Sequence, residues 1–355
     1  MSLFCPFEDQ SMSGLNLVVL RDPVPVWDAA APAPPGPRLD FELIRERISG
    51  QYVSSASLKS PLARRLAGGN SAMAAAFATF EVRAQAANVF TTGEEIAFRL
   101  LPLLNASSWK GRLFSVIHSS HSFKWRQAAR LLGTAKVGTY FTVSTQQRDV
   151  LVQKAGLPAD KVVFIHHSVD ADFYDPSKAP AASGEGYVFA CGLENRDYAT
   201  LTAAAAQVPW PVRVQAYGFF PQADARDEGL PANLEINRTR LSHDDLRARY
   251  AGARFVVVPL HAVPYAAGAT GILEAMAMGK AVIATQSSGL ADYIAPDTIL
   301  KVPAGDPARL ADAMGALWRD PAACEEMGRA NREWVLRHAS IERYTAAIAD
   351  RILAD

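Results

Sequence analysis

The chain has 355 residues, about half of them apolar, and its 36 basic and 36 acidic side chains leave no formal net charge. That length accommodates two domains of ordinary size, and the neutral balance excludes a global attraction to nucleic acid. No apolar run approaches the roughly 18 residues needed to span a bilayer, so any membrane contact is expected to be peripheral.

Cys5, Cys191 and Cys324 stand far apart without metal-ligand spacing, as expected of reduced thiols in a cytosolic protein. The N-terminus has no basic segment leading into an apolar core, so no secretory leader is expected. The expected location is cytoplasmic, with peripheral contact at the inner face of the cell membrane as an extension. That extension rests on charge: from Ile96 to Arg148 there are eight basic residues (Arg99, Lys110, Arg112, Lys124, Arg126, Arg130, Lys136 and Arg148) and no acidic one. Such a run is either a solvated face or a surface for an anionic acceptor or membrane.

In chain order, LNLVVLRD reads as a first strand, followed by a proline- and alanine-rich loop. FELIRERI and AMAAAFATF read as helices separated by the glycines at 68 and 69. NVFTT, RLFSVIHSS, VGTYFTVS and KVVFIHHS read as strands. Between them, GEEIAFRLLPLL, SFKWRQAARLLGTA and TQQRDVLVQKAG read as helices, with Pro102 weakening the end of the first. SFKWRQAARLLGTA is basic and amphipathic, and Phe123, Trp125, Leu131 and Leu132 form either its core face, the favoured reading, or a membrane-facing edge. After a softer stretch at residues 175–186 the alternation repeats: YVFACG, VRVQAYG, LEINRT, FVVVPL, AVIAT and LKVP as strands, with helices between and after them. This pattern predicts an α/β protein of two doubly wound, Rossmann-like domains with parallel sheets.

The stretch from Arg254 to Ile294 speaks most directly about chemistry. FVVVPL has the composition of a buried parallel strand. The glycines of YAAGATG let backbone approach a ligand and open a helix at about Thr270–Gly271. Glu274 is a lone carboxylate on that otherwise apolar helix, which Gly279 ends. An acid near a helix N-terminus beside a glycine loop suits a phosphorylated, hydroxyl-rich ligand.

Four passages together resemble the nucleotide-sugar glycosyltransferases of the two-Rossmann-domain (GT-B) architecture, specifically the retaining family 4. They are VSTQQRDVLVQKAGLPADKVVFIHHSVDADFYDP, CGLENRDYATLTAA, LSHDDLRARYAGARFVVVPL, and the Arg254–Ile294 stretch with its LEAMAMGKAVIAT. The resemblance covers roughly residues 140 to 335. It implies an acceptor-binding domain over 1–176, a nucleotide-sugar domain over 177–335, and a C-terminal helix at 336–355 that can return to the first domain.

The resemblance also implies roles. Arg196 matches the diphosphate-binding cation, and Glu274 the acid that holds the ribose hydroxyls. The amides around Thr270, Gly271 and Ile272, with Gly192 and Gly268, form a phosphate cradle. Gly218 falls on a loop near the nucleotide, and Arg240–Leu241 where the base is contacted. His118, at the end of RLFSVIH, is either a structural ring or the histidine lining the cleft near the donor sugar. His166 and His167 are expected to pack between domains, and His121 has no role. The implied substrate is an NDP-sugar, UDP- or GDP-linked, with no cofactor and no metal. The implied reaction is transfer to an acceptor hydroxyl with retention, in glycolipid, polysaccharide or cell-envelope glycan synthesis, with a lipid-linked or polysaccharide acceptor.

The departures are specific. Ala266 stands where the family has a first glutamate, eight positions before Glu274, and Leu193 and Ser168 replace an arginine and a glycine of the pattern. The glycine-rich loop after the first strand is absent. The architecture leaves open a sugar-nucleotide epimerase, and these changes leave open a non-catalytic sugar-nucleotide-binding partner. A Rossmann dehydrogenase is disfavoured because no Gly-x-Gly-x-x-Gly follows a strand.

Overall fold

The computed structural model describes residues 14–23, 36–118, 123–180, 186–217, 229–294 and 298–354. The first half contains β1 (Leu15–Val19), α1 (Asp40–Arg47), β2 (Gln51–Val53), α2 (Pro61–Ala67), α3 (Ser71–Val82), β3 (Ala86–Thr91) and α4 (Glu94–Asn105). It continues with β4 (Arg112–Ile117), α5 (Phe123–Leu132), β5 (Val137–Thr142), α6 (Thr145–Asp149) and β6 (Val162–Phe164). These strands form a six-stranded parallel sheet in the order β2-β1-β3-β4-β5-β6. All six residues of β5 are buried, as a strand covered by helices on both faces requires.

The second half runs β7 (Tyr187–Cys191), α7 (Tyr198–Ala205), β8 (Val212–Gln215), β9 (Leu234–Asn237), α8 (His243–Gly252) and β10 (Ala253–Val258). It ends with α9 (Ala269–Ala277), β11 (Ala281–Thr285), β12 (Ile299–Val302), α10 (Pro307–Arg319), α11 (Pro321–His338) and α12 (Ile341–Ala354). Its sheet is also six-stranded and parallel, ordered β12-β11-β10-β7-β8-β9. Strand order reverses between β1 and β3 in the first sheet and between β7 and β10 in the second. Such switch points open a crevice at the carboxyl ends of the strands, which is where α/β folds bind ligands.

The fold differs locally from the sequence reading. β2 and α2 are additional to the elements read from the sequence. β2 is a three-residue edge strand, too short to show alternation, although α2 carries readable signals: Ser60 accepts from the Ala63 amide as N-cap, Pro61 opens the helix and Gly68 closes it in the left-handed region. α4 continues through Pro102 to Asn105. The helix from Thr145 widens into a π-helical turn over Val150–Lys154. β6 stops at Phe164 instead of reaching Ser168, because the backbone beyond it serves the crossing between the halves.

Two strands of backbone make that crossing side by side. The Val169 amide donates to Ala339 O and the Ile341 amide to Val169 O, each at 3.0 Å. Asp170, next in the chain, accepts from the Arg38 guanidinium at 2.6 and 3.0 Å and from the Arg38 amide at 2.8 Å, while Arg38 also reaches Glu342. α12 then lies against the first half: Tyr344, Ile348, Ala349 and Ile352 share a core with Val18, Phe90, Phe114 and Phe141. On the second side, Tyr293 donates to Val143 O and accepts from the His167 amide, and Asp292 accepts from the amide and hydroxyl of Thr145. His166 packs edge-on against both Tyr293 and Trp334.

Candidate functional site

The site forms at the β7/β10 switch point. β7 ends at Cys191, and Gly192 turns the chain with φ +94°, a conformation open to glycine and strained for other residues. Residues 195–197 then pair with the end of β10: the His261 amide donates to Asn195 O at 3.1 Å and the Asp197 amide to Pro259 O at 3.0 Å. Between those two bonds Arg196 is folded inward, 7% exposed. Its Nε donates to Cys191 O at 2.9 Å and its Nη1 to Glu194 O at 2.8 Å. Among the described residues Nη2 has no acceptor.

Three glycines make room for that guanidinium. A Cβ at Gly192 would stand 2.5 Å from Nη2, one at Gly268 3.3 Å from Nη1, and one at Gly271 3.4 Å from Nη2. Gly268, with φ +84°, is the N-cap of α9, so the arginine lies against the helix start. The first helical bond there runs from the Ile272 amide to Gly268 O. Of the three amides expected in the cradle, that of Ile272 is engaged in the helix and its residue is fully buried, while among the described residues the Thr270 and Gly271 amides have no backbone acceptor. Those amides, the helix dipole and Arg196 put positive potential on one spot.

Glu274, one turn on, is oriented by two tyrosines that the sequence reading missed. Tyr174 donates to Oε1 at 3.0 Å and Tyr250 to Oε2 at 2.8 Å, and the Tyr250 oxygen lies 2.8 Å from Cys191 Sγ. Burial pushes the Glu274 carboxyl above the usual carboxylate range, against the opposing pull of Tyr250, Tyr174 and Arg196. Burial, with the nearby Glu274, likewise pushes the Cys191 thiol up to about 12, so it packs as a neutral side chain. Each carboxylate oxygen keeps acceptor capacity beyond its tyrosine.

Ala266 is partly buried and packs toward both halves. Its neighbour Tyr265 accepts from Asn195 Nδ2 and donates to Glu194 Oε1 at 3.2 Å. Asn195 is held at φ +51°, one of two non-glycine residues in the left-handed region among the described residues. The second glycine loop lies directly beneath, since a Cβ at Gly289 would meet Tyr265 O at 2.1 Å.

His118 sits across the molecule, at the end of β4. Its amide donates to Glu94 Oε2 at 2.9 Å, its Nε2 lies 3.1 Å from Thr92 O, and Gln147 donates to its carbonyl at 2.5 Å. Burial raises the Glu94 carboxyl, against the pull of His118. The ring lines a cleft of about 380 Å³ at the β1/β3 switch point, with Leu20, Arg21, Phe41, Thr92 and Glu95. Thus Arg196, Glu274, Gly192, Gly268, Thr270 and Gly271 converge, whereas His118 belongs to the facing domain and touches none of them. Arg240 is exposed and Leu241 half-buried on the β9–α8 loop. Gly218 and His121 lie outside the described residues.

Residues 187–320 match the family model Glycosyl transferases group 1. No curated protein sequence matches the chain. Among solved structures, a glycosyltransferase from Rickettsia africae is 13% identical with a TM-score of 0.68, covering 97% of this chain and 100% of its own. Sucrose-phosphate synthase from Thermosynechococcus elongatus is 18% identical with a TM-score of 0.67, covering 96% and 97%. Anabaena HepE, solved in complex with UDP and glucose, is 14% identical with a TM-score of 0.64, covering 89% of each chain. The chain therefore carries a Glycosyl transferases group 1 domain and has the GT-B fold, with two Rossmann-like domains.

Proposed function

We propose that the protein is a glycosyltransferase that moves a sugar from a UDP- or GDP-sugar to an acceptor hydroxyl with retention of anomeric configuration. One observation carries this reading: Arg196, fixed among Gly192, Gly268 and Gly271, presents Nη2 beside the start of α9. Developing negative charge on a departing diphosphate is stabilised by a guanidinium and helix amides that need no rearrangement. No metal is required for that neutralisation. Glu274, with an acceptor site left on each oxygen, receives the ribose hydroxyls. The solved complex of HepE with UDP supports uridine as the nucleoside of the donor.

In the reaction the bond from the anomeric carbon to the diphosphate breaks, and the bond to the acceptor oxygen forms on the same face. The acceptor proton passes to the departing diphosphate. His118 faces the donor sugar from the other domain when the cleft closes. Glu194, tied to Tyr265 beside Ala266, supplies the carboxylate toward the sugar that the family places at position 266. The acceptor is a lipid-linked or polysaccharide hydroxyl in glycolipid or cell-envelope glycan synthesis at the inner face of the cell membrane.

The test is a thermal-shift series with UDP-, GDP-, ADP- and TDP-sugars, followed by release of the nucleoside diphosphate with and without acceptor. A ligand that binds only the folded state raises its melting temperature. A shift with one nucleotide class and acceptor-dependent release are expected. A flat response to all four overturns the reading.

A further inference from the structure

The helices on one face of the first sheet follow one another across it: α2 packs on α3, α3 on α4 and α4 on α5. The two outer helices of this layer expose apolar side chains and cations together. On α5, Trp125, Ala128, Ala129 and Leu132 turn to the core. Phe123 and Leu131, for which core face and membrane-facing edge were both open, are 66% and 82% exposed. At about 100° per residue these two positions and Gln127 share one stripe of the helix. Lys124 and Arg130 are exposed on its flanks.

α2 repeats the design. Leu62 and Leu66, four residues apart, are each 67% exposed, with Arg64 and Arg65 exposed between them and Lys59 just before. Neither helix contains an acidic residue. Four of the seven strongly exposed large hydrophobic side chains among the described residues come from these two helices. That concentration distinguishes the layer from scattered surface apolar residues. On the α2 side, Glu81 accepts from the Lys59 and Ser60 amides. Beyond the C-terminus of α5 lies a cleft of about 600 Å³ lined by Arg130, Lys154, Gly133, Thr134, Gly156 and Pro158, again without an acid.

We propose that this helical layer docks on an anionic lipid bilayer. Leu62, Leu66, Phe123 and Leu131 enter the acyl boundary, while Arg64, Arg65, Lys124 and Arg130 meet lipid phosphates, and the Arg130–Lys154 cleft receives a headgroup. Apolar side chains ringed by cations on a short helix are stabilised in the interfacial plane, where the chain meets both the acyl boundary and the negative surface potential. A second copy of the chain is the weaker occupant, because it would set one basic face against another. The proposal stands on the first domain alone and does not depend on the donor.

The test is co-sedimentation of the full chain with vesicles of phosphatidylglycerol and phosphatidylcholine in equal parts, against phosphatidylcholine alone. Binding to the anionic vesicles is expected to be at least about tenfold stronger and to weaken with salt. K124Q/R130Q is expected to lower the partition coefficient about twenty-fivefold, at about fivefold per cation. F123S/L131S is expected to lower it at least about tenfold. Both variants should melt at the wild-type temperature and release nucleotide in solution at the wild-type rate. Equal binding to both vesicle types, or variants that partition like wild type, overturns the proposal. Self-association that F123S/L131S abolishes, without vesicle binding, assigns the face to a second copy and overturns it as well.

Discussion

Gly192 leaves the space that Arg196 fills: a methyl group at position 192 would stand 2.5 Å from Arg196 Nη2. The backbone there is at φ +94°, so alanine is disfavoured twice, by strain and by displacement of the guanidinium. The glycine before the family's expected arginine is therefore a requirement of this arginine, four residues later.

Arg196→Ala is expected to reduce kcat/KM for donor turnover by about 10²–10³-fold, the range for removing a donor aimed at developing charge. Gly192→Ala should give a smaller loss of the same kind, and the double variant should lose little beyond Arg196→Ala, because the glycine acts through the arginine. Steady-state kinetics of the three variants check this. Losses that simply add would mean that Gly192 and Arg196 act separately.

Glu274 offers a prediction in which function and stability part. Its carboxyl is raised by burial, so over the window from the ordinary carboxylate value to the raised one the native state binds more protons than the unfolded state. Stability from this group is present at low pH and falls as pH rises through that window. Glu274→Gln removes the titration and keeps a carbonyl acceptor for one of the two tyrosines. It should weaken nucleotide-sugar binding by at least about tenfold, the loss of a charge-assisted hydrogen bond. At neutral pH it should melt higher than wild type. A variant that binds donor normally, or melts lower across the whole pH range, contradicts the assignment.

The carboxylate assigned to Glu194 can be moved. Glu194→Ala should reduce turnover by about 10²-fold while nucleoside diphosphate binding stays near wild type, because the Arg196 main chain and guanidinium are retained. Adding Ala266→Glu to that variant should restore part of the rate, since the acid is then carried by the α9 loop itself. Product release is the readout for the rate, and a nucleotide thermal shift the control for binding. No loss in Glu194→Ala would leave Tyr265 as the group that faces the sugar.

Much of the second domain could be read from the chain because its signals are short-range. The loop glycines, the apolar α9 and the position of Glu274 all lie within one contiguous stretch, and periodicity with turn chemistry places them. The tyrosines that hold Glu274 could not be read the same way. Tyr174 is 100 residues away on the crossing segment and Tyr250 lies in the last turn of α8, and only the folded chain brings both hydroxyls to one carboxylate. Phe123 and Leu131 stayed open between core and surface for another reason: α5 is apolar on two faces, and amphipathic periodicity does not say which one the core takes. β2 was invisible because three residues carry no period.

His167 should govern stability in weak acid. Burial, with a smaller contribution from His118, lowers its pKa from 6.5 to about 4. The local geometry acts in the same direction: Nδ1 accepts the Ser168 amide at 2.7 Å and cannot take a proton while that bond is kept. Between about pH 6.5 and 4 the unfolded chain binds more protons at this residue than the native one, so stability is full above that window and declines as pH falls through it. At about 1.4 kcal/mol per pH unit the decline approaches roughly 3 kcal/mol near pH 4. His167→Asn keeps an acceptor for the Ser168 amide without a titrating ring. Because the His167 amide also donates to Tyr293, which bonds Val143 O in turn, protonation loosens the junction between the halves. Melting curves from pH 7 to pH 4 are expected to fall steeply for wild type and to flatten for His167→Asn. An acid limb unchanged by the substitution would show that another group controls it.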